Sequence, residues 1–228
     1  EIPDNDLLKV GGLDVAKFGS DETVHVVLEG RRLSRIVPFH KVDINETVGW
    51  AKSLILEEKL EGYGVDEGGL AGVAGFLEED ERIRCAVVRI MFGAKVDESA
   101  HFSNLGAAMW WALRTAFQNN QISIPNDKIL IGQLAGRKYE KNSMGKSRIK
   151  LESKRIASAR GISSPDRGDA LAIAWWVRRA IIAGATTLGS AGNDASNLNE
   201  EIERMTKHPQ VKHPEVQVAT LESDSIRY

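Results

Sequence analysis

Three apolar segments fall within residues 7–39, and their order restricts the fold more than any other feature of the chain. Residues 7–15 read as a strand that closes on Asp14. Residues 23–28 and 32–39 read as two more strands, joined around Glu29-Gly30. Three successive strands with short turns make an antiparallel meander. Asn45-Glu46-Thr47 then opens an amphipathic helix to about Leu60, and residues 62–66 form a short strand ending at Asp66. Residues 69–77 read as a small-residue helix, 83–92 as a strand, and 103–119 as an apolar helix carrying Trp110 and Trp111. Ser164-Pro165 opens another helix, with Ser as N-cap and Pro at the first helical position. That helix carries Trp175 and Trp176. The tryptophans read as core and interface. Adjacent Trp residues on a helix point to two faces, so one of each pair is expected to be exposed or to meet another domain.

The order βββ, α, β, α, β and then helices implies an α/β fold with a mixed sheet flanked by helices. The ribonuclease-H-like fold has this order: an antiparallel βββ meander plus parallel strands. In it the first strand lies beside the strand after the first helix, and a late helix packs across their ends. The 228 residues, 42% hydrophobic, suit one sizeable domain. Residues 1–183 read as that domain, and residues 184–228, rich in Gly, Ser, Asn, Glu and Lys, as a polar linker and tail with one surface helix near 197–207. Cys85, the single cysteine, excludes a disulfide framework and reads as part of a buried strand. No apolar run spans a membrane and no signal peptide is visible. The start at Glu1 rather than Met reads as an excised domain or a processed product.

Asp14, Asp66 and Asp169 each stand where an element meets a loop, in Gly11-Gly-Leu-Asp14, Gly64-Val-Asp66 and Ser164-Pro-Asp166-Arg-Gly-Asp169. Taken singly, Asp14 and Asp66 read as ordinary turn residues, and Asp166 as an acid favouring a helix N-terminus. Asp169 is placed past the first turn, ahead of an apolar stripe, and shares a helix face with Asp166. Carboxylates beside apolar surface cost free energy unless something compensates them, and a metal would. Hard divalent cations such as Mg²⁺ and Mn²⁺ prefer carboxylate oxygen, and a pair of them is the usual machinery for cutting a phosphodiester.

These stretches resemble a known family. Gly12-Leu-Asp14-Val-Ala-Lys-Phe-Gly19-Ser-Asp21 is similar to the opening motif of the nuclease domain of tailed-phage terminase large subunits. Val65-Asp66-Glu-Gly-Gly-Leu resembles its second acidic motif, and Met109-Trp110-Trp111-Ala-Leu-Arg114 its central helix. Leu151-Glu152-Ser153-Lys154 followed by Ser164-Pro-Asp-Arg-Gly-Asp169-Ala-Leu-Ala172 resembles its third motif. The likeness spans residues 10–176. It implies an endonuclease that cuts double-stranded DNA with low sequence specificity during viral genome packaging. Asp14, Asp66 and Asp169 would be its catalytic, metal-binding triad for two Mg²⁺ or Mn²⁺ ions, with Asp166 as a nearby fourth carboxylate. It also implies a separate N-terminal packaging ATPase domain, the portal and the small terminase subunit as partners, and the host cell cytoplasm as the location.

Residues 137–155 carry eight Lys and Arg against two Glu in a chain of net charge −2. A solvated charged face is the ordinary meaning of such a run. The local excess favours a hairpin that contacts DNA phosphates through Arg137, Lys138, Lys141, Lys146, Arg148 and Lys150, away from the acids and without reading sequence. Gly145-Lys146-Ser147 looks like the end of a P-loop, but Glu140 stands where the pattern needs Gly, and Arg148-Ile-Lys-Leu alternates like a strand. His208 and His213 lack nearby cysteines and do not read as a zinc site. Three other readings compete with packaging endonuclease. One is a junction-resolving nuclease of the same fold. Another is a non-catalytic module docking onto a packaging motor. The third is half of an actin-like kinase, which Asp14-Val-Ala-Lys disfavours because Asp-x-Gly-x-Thr is absent there.

Overall fold

The structure, a computed structural model, describes residues 7–16, 22–40, 42–68, 72–96, 101–141 and 148–183. The expected tail helix and the 145–147 turn lie outside them. The strands are β1 (Lys9–Asp14), β2 (Thr23–Glu29), β3 (Arg32–Phe39), β4 (Gly62–Asp66), β5 (Ala86–Ile90), β6 (Tyr139–Lys141) and β7 (Ile149–Leu151). The helices are α1 (Ile44–Glu58), α2 (Val73–Glu78), α3 (Leu105–Gln118), α4 (Lys128–Gly136), α5 (Lys154–Ala159) and α6 (Asp166–Ile182).

The main sheet has the order β3-β2-β1-β4-β5. β1, β2 and β3 form the antiparallel meander, and β4 lies parallel to β1 with β5 parallel to β4. This is the mixed, ribonuclease-H-like sheet flanked by helices that the element order implies. Residue parity sorts the two faces. Val10, Val24, Val26 and Leu28 join the core under α3 and α6, whereas Leu13, Val27, Tyr63 and Val65 join the core under α1 and α2.

Caps set the helix starts. Asp43 and Glu46 form a reciprocal capping box at α1, with bonds of 2.9 and 3.0 Å. Asn104 caps α3, Asp127 caps α4 and Ser153 caps α5 through side-chain oxygens. α4 and α5 were not expected from the sequence. At α6 the expected cap is replaced: Pro165 is the N-cap and gives no side-chain bond, so Asp169 falls within the first turn rather than beyond it. The Trp expectation also fails on this helix. Trp175 and Trp176 are both buried, at 4% and 5% exposure, because α6 is enclosed nearly all round. Their faces carry Arg178 and Arg179, 5.2 and 5.9 Å from the ring centroids. Cys85 precedes β5 and is half-buried.

α6 comes unusually close to the sheet. A Cβ built at Gly12 would lie 2.3 Å from the Ala170 carbonyl oxygen and 2.7 Å from the Ala174 nitrogen. One built at Gly62 or Gly64 would strike Val177 together with Ile181 or Ile173. These glycines occupy the α6 face of β1 and β4 and form a floor on which the helix backbone rests. Gly12 is paired with Gly64 and Leu13 with Val65, so Asp14 and Asp66 follow side by side at the ends of two parallel strands. By the period of two, both share the face of the glycine floor. The N-terminus of α6 lies at this end, since Gly12 meets Ala170 while Gly62 meets Ile181.

Candidate functional site

Asp14, Asp66, Asp166 and Asp169 line one cavity of about 720 Å³. Asp14, Asp166 and Asp169 are 5%, 4% and 3% exposed, and Asp66 is half-buried. Each carboxylate is held differently. Asp66 Oδ1 accepts from the Gly68 amide at 2.9 Å. Asp166 Oδ2 accepts from the Glu22 amide at 2.9 Å. Asp169 Oδ1 accepts from Trp110 Nε1 at 2.7 Å, and its Oδ2 is 3.7 Å from Lys154 Nζ. Trp110 reaches Asp169 because Gly168 has no side chain: a Cβ there would sit 2.7 Å from the indole ring.

The electrostatics are those of crowded, largely buried acids. Burial first, and then Asp169, raise the Asp14 carboxyl well above its ordinary range; Asp166 and Asp66 add to the rise and Lys154 opposes it. Asp169 is raised by burial and by Asp166, against the lowering effects of Lys154, Arg137 and the Trp110 hydrogen bond. Among the described residues, no three acidic, His or Cys side chains close around one point. A cation would therefore have to draw the carboxylates inward. The donor set suits one, because oxygen-only, carboxylate-rich ligation is what hard divalent cations prefer.

An outer layer supports the acids. Arg167 pairs with Glu22 through two bonds of 3.0 and 3.1 Å and with Asp127 at 2.7 Å, tying the segment before β2 to the starts of α6 and α4. Gln133, buried on α4, accepts from the Gly168 amide at 3.0 Å and donates to the Ser164 carbonyl at 2.9 Å. It supplies from another helix the cap that Pro165 cannot.

The basic segment is partly at the site. β6 and β7 pair antiparallel, and Arg137, Lys150 and Lys154 line the same cavity as the acids. The expectation that the basic segment lies away from the acids is therefore corrected: the hairpin folds back over the strand ends. Lys138 is exposed and Arg148 half-buried, while the Lys141 side chain and Lys146 lie outside the described residues. Lys154, Trp110 and Gln133 were missed as site residues. In the sequence Lys154 stands in the third-motif stretch and in the basic run without a site role, Trp110 reads as core, and Gln133 sits on a helix that the pattern does not signal.

No protein-family profile matches the chain, and no curated protein does. Solved structures do. The nuclease domain of the large terminase subunit of bacterial virus Sf6 superposes with a TM-score of 0.62 at 22% identity, over 74% of this chain and 87% of that one. A mutant of that large subunit solved with calcium gives 0.63 at 20% identity, over 74% and 88%. The large terminase nuclease of the thermophilic phage G20c with bound magnesium gives 0.56 at 17% identity, over 77% and 84%. By fold, this chain is therefore similar to the nuclease domains of phage large terminase subunits.

Proposed function

We propose that this chain is a metal-dependent endonuclease that cuts double-stranded DNA with little sequence preference during viral genome packaging. The observation that carries the reading is the gathering of four carboxylates in one cavity, where Asp14 and Asp169 are both pushed toward the protonated form. Such a cluster is costly unless cations offset it. Support also comes from structural relatives named as terminase nucleases, some solved with magnesium or manganese. Asp14, Asp66 and Asp169 would hold two Mg²⁺ or Mn²⁺ ions, with Asp166 beside them. Bound there, the pair would supply an activated water and stabilise the leaving 3′ oxygen.

The chain's own residues do the rest. Trp110 and Lys154 hold Asp169 in place from opposite sides, each on a different carboxylate oxygen. The Glu22 amide orients Asp166. Arg137, Lys150 and Lys154 bring positive charge to the cavity lining, where DNA phosphates would lie, and with Lys138, Lys141, Lys146 and Arg148 would track the backbone. Residues 1–183 would act as the nuclease, followed by a polar linker and tail over 184–228, and a separate N-terminal packaging ATPase domain, the portal and the small subunit would be its partners. No helix among the described residues is long and apolar enough to cross a membrane. The test is relaxation of supercoiled plasmid with Mn²⁺, with chelator, and by Asp169→Asn. Cleavage only by the wild type with Mn²⁺ supports the reading. No cleavage, together with no Mn²⁺ binding by calorimetry, would leave a docking module.

A further inference from the structure

Arg137 caps the C-terminus of α4 in an extended conformation, φ −74° and ψ 126°, with Lys138 between it and β6. The backbone on both sides of it is clamped. Arg160 Nη2 donates to the Gly136 carbonyl at 3.0 Å, and the Lys138 amide donates to Glu152 Oε1 at 3.0 Å. The Glu152 amide returns a 3.0 Å bond to the Lys138 carbonyl. Glu152 is buried and paired with Arg160 through both carboxylate oxygens. Burying an ion pair brings little net stability. Here it fixes the two peptide units that flank one arginine.

The Arg137 side chain is also held, yet uncommitted. Its guanidinium carbon lies 5.4 Å from the centre of the Trp110 ring, the same indole that donates to Asp169. Nε and Nη1 are shielded from water and have no hydrogen-bond partner among the described residues. Leaving buried donors unpaired is costly, and a purely structural arginine would not carry that cost with carboxylates nearby. Arg137 lines the acid cavity and is close enough to pull the Asp169 carboxyl downward. A preorganised cation lining a carboxylate-rich cavity is the arrangement that stabilises charge developing on an oxyanion.

We propose that Arg137 binds a non-bridging oxygen of the phosphodiester being cut and stabilises its charge as the bond breaks, whereas the other basic residues hold flanking phosphates. This rests on the endonuclease reading above. In the reaction the water oxygen bonds to phosphorus, the bond from phosphorus to the 3′ oxygen breaks with its electron pair going to that oxygen, and one water proton is released while the leaving oxygen gains one. The products are a 5′-phosphate and a 3′-hydroxyl, and the extra negative charge passes through the non-bridging oxygens that Arg137 faces.

The experiment compares the wild type, Arg137→Gln and Arg137→Lys with Mn²⁺ on two substrates: supercoiled plasmid and bis(p-nitrophenyl) phosphate, a diester with no flanking phosphates. Arg137→Gln should lower plasmid kcat about 100-fold with KM little changed, and should lower hydrolysis of the small diester by a similar factor. Arg137→Lys should recover part of both, and melting temperatures should stay near the wild-type value. A loss confined to plasmid KM, with the small diester untouched, would make Arg137 a flanking contact and overturn the proposal. A parallel fall in melting temperature, with both activities restored on cooling, would make it structural. If the wild type cuts plasmid but not the small diester, the split between kcat and KM on plasmid decides. A wild type that hydrolyses neither substrate sinks the endonuclease reading itself.

Discussion

Gly12→Ala should disable the site without touching a carboxylate. The new Cβ would stand 2.3 Å from the Ala170 carbonyl oxygen and 2.7 Å from the Ala174 nitrogen. Both are backbone atoms of α6, so no side-chain rotation can relieve the contact. Ordinary contact begins near about 3.5 Å, so α6 must retreat from β1 by roughly 1 Å. The retreat also loosens Ile173, Val177 and Ile181 from the floor at Gly62 and Gly64. Overpacking of this kind costs about 1–3 kcal/mol, or a melting-temperature drop of roughly 3–10 °C for a domain of this size. Asp169 rides on α6 while Asp14 rides on β1, so their separation changes by about the same 1 Å, enough to cost about 100-fold in rate. The assays are thermal melting and Mn²⁺-dependent plasmid cleavage. Gly49→Ala is the control: it lies on α1 with open space around it, so its melting temperature should hold or rise. Wild-type melting and cleavage in Gly12→Ala would refute the claim that the glycine floor sets the site.

Asp14→Asn should abolish cleavage yet melt at or above the wild-type temperature at pH 7. Its folded pKa is raised, so the charged form destabilises the fold at neutral pH, and the gain should shrink as pH falls toward the ordinary carboxylate range; a clear loss of stability would contradict this. His25, buried on β2, should show the opposite pH dependence. The Tyr63 hydroxyl, kept protonated by burial, is hydrogen-bonded to its Nδ1, and burial lowers the imidazole to about 3, so stability falls as pH drops from 6.5 toward 3, by about 2 kcal/mol at pH 5. The double variant His25→Phe/Tyr63→Phe should flatten that part of the curve of melting temperature against pH, and a curve parallel to wild type would exclude His25. Lys138→Gln with Lys150→Gln should flatten the salt dependence of DNA binding by about one unit per lost phosphate contact. An unchanged slope, measured by fluorescence anisotropy, would make the hairpin a solvated face.

What could be read from the residues, and what could not, divides along a physical line. Period-two alternation and Gly punctuation placed β1 to β4 within a residue or two, because those signals are local. Asp14 and Asp66 were readable for the same reason: each ends an apolar run. α4 was missed because Lys128-Ile-Leu-Ile-Gly-Gln-Leu carries a weak amphipathic pattern, and its Asp127 cap is informative only once the helix is suspected. The start of α6 was misread because Ser164-Pro165 carries a favoured local signature, yet Gln133 from α4 supplies the cap in its place. The return of the basic hairpin to the acids depends on contacts between distant segments, such as Ser103 bonded to Ile149, which no local pattern encodes.

The folded chain tolerates four acids in one cavity because its own groups partly compensate them. Asp166 and Asp169 stand in the first turn of α6, where the free amides and the helix dipole favour negative charge. Lys154 and Arg137 add cationic fields, and Trp110 adds a hydrogen bond. The compensation is incomplete, since Asp14 and Asp169 both remain above their ordinary range. Full compensation would leave nothing for a cation to gain, and none would leave the cluster protonated and unable to bind one. Neither acid sits on a flexible loop: one ends a central strand and the other lies on a helix pressed against the glycine floor. The residual repulsion therefore cannot be relieved by the two acids moving apart, and under the proposed function it would favour divalent ions there.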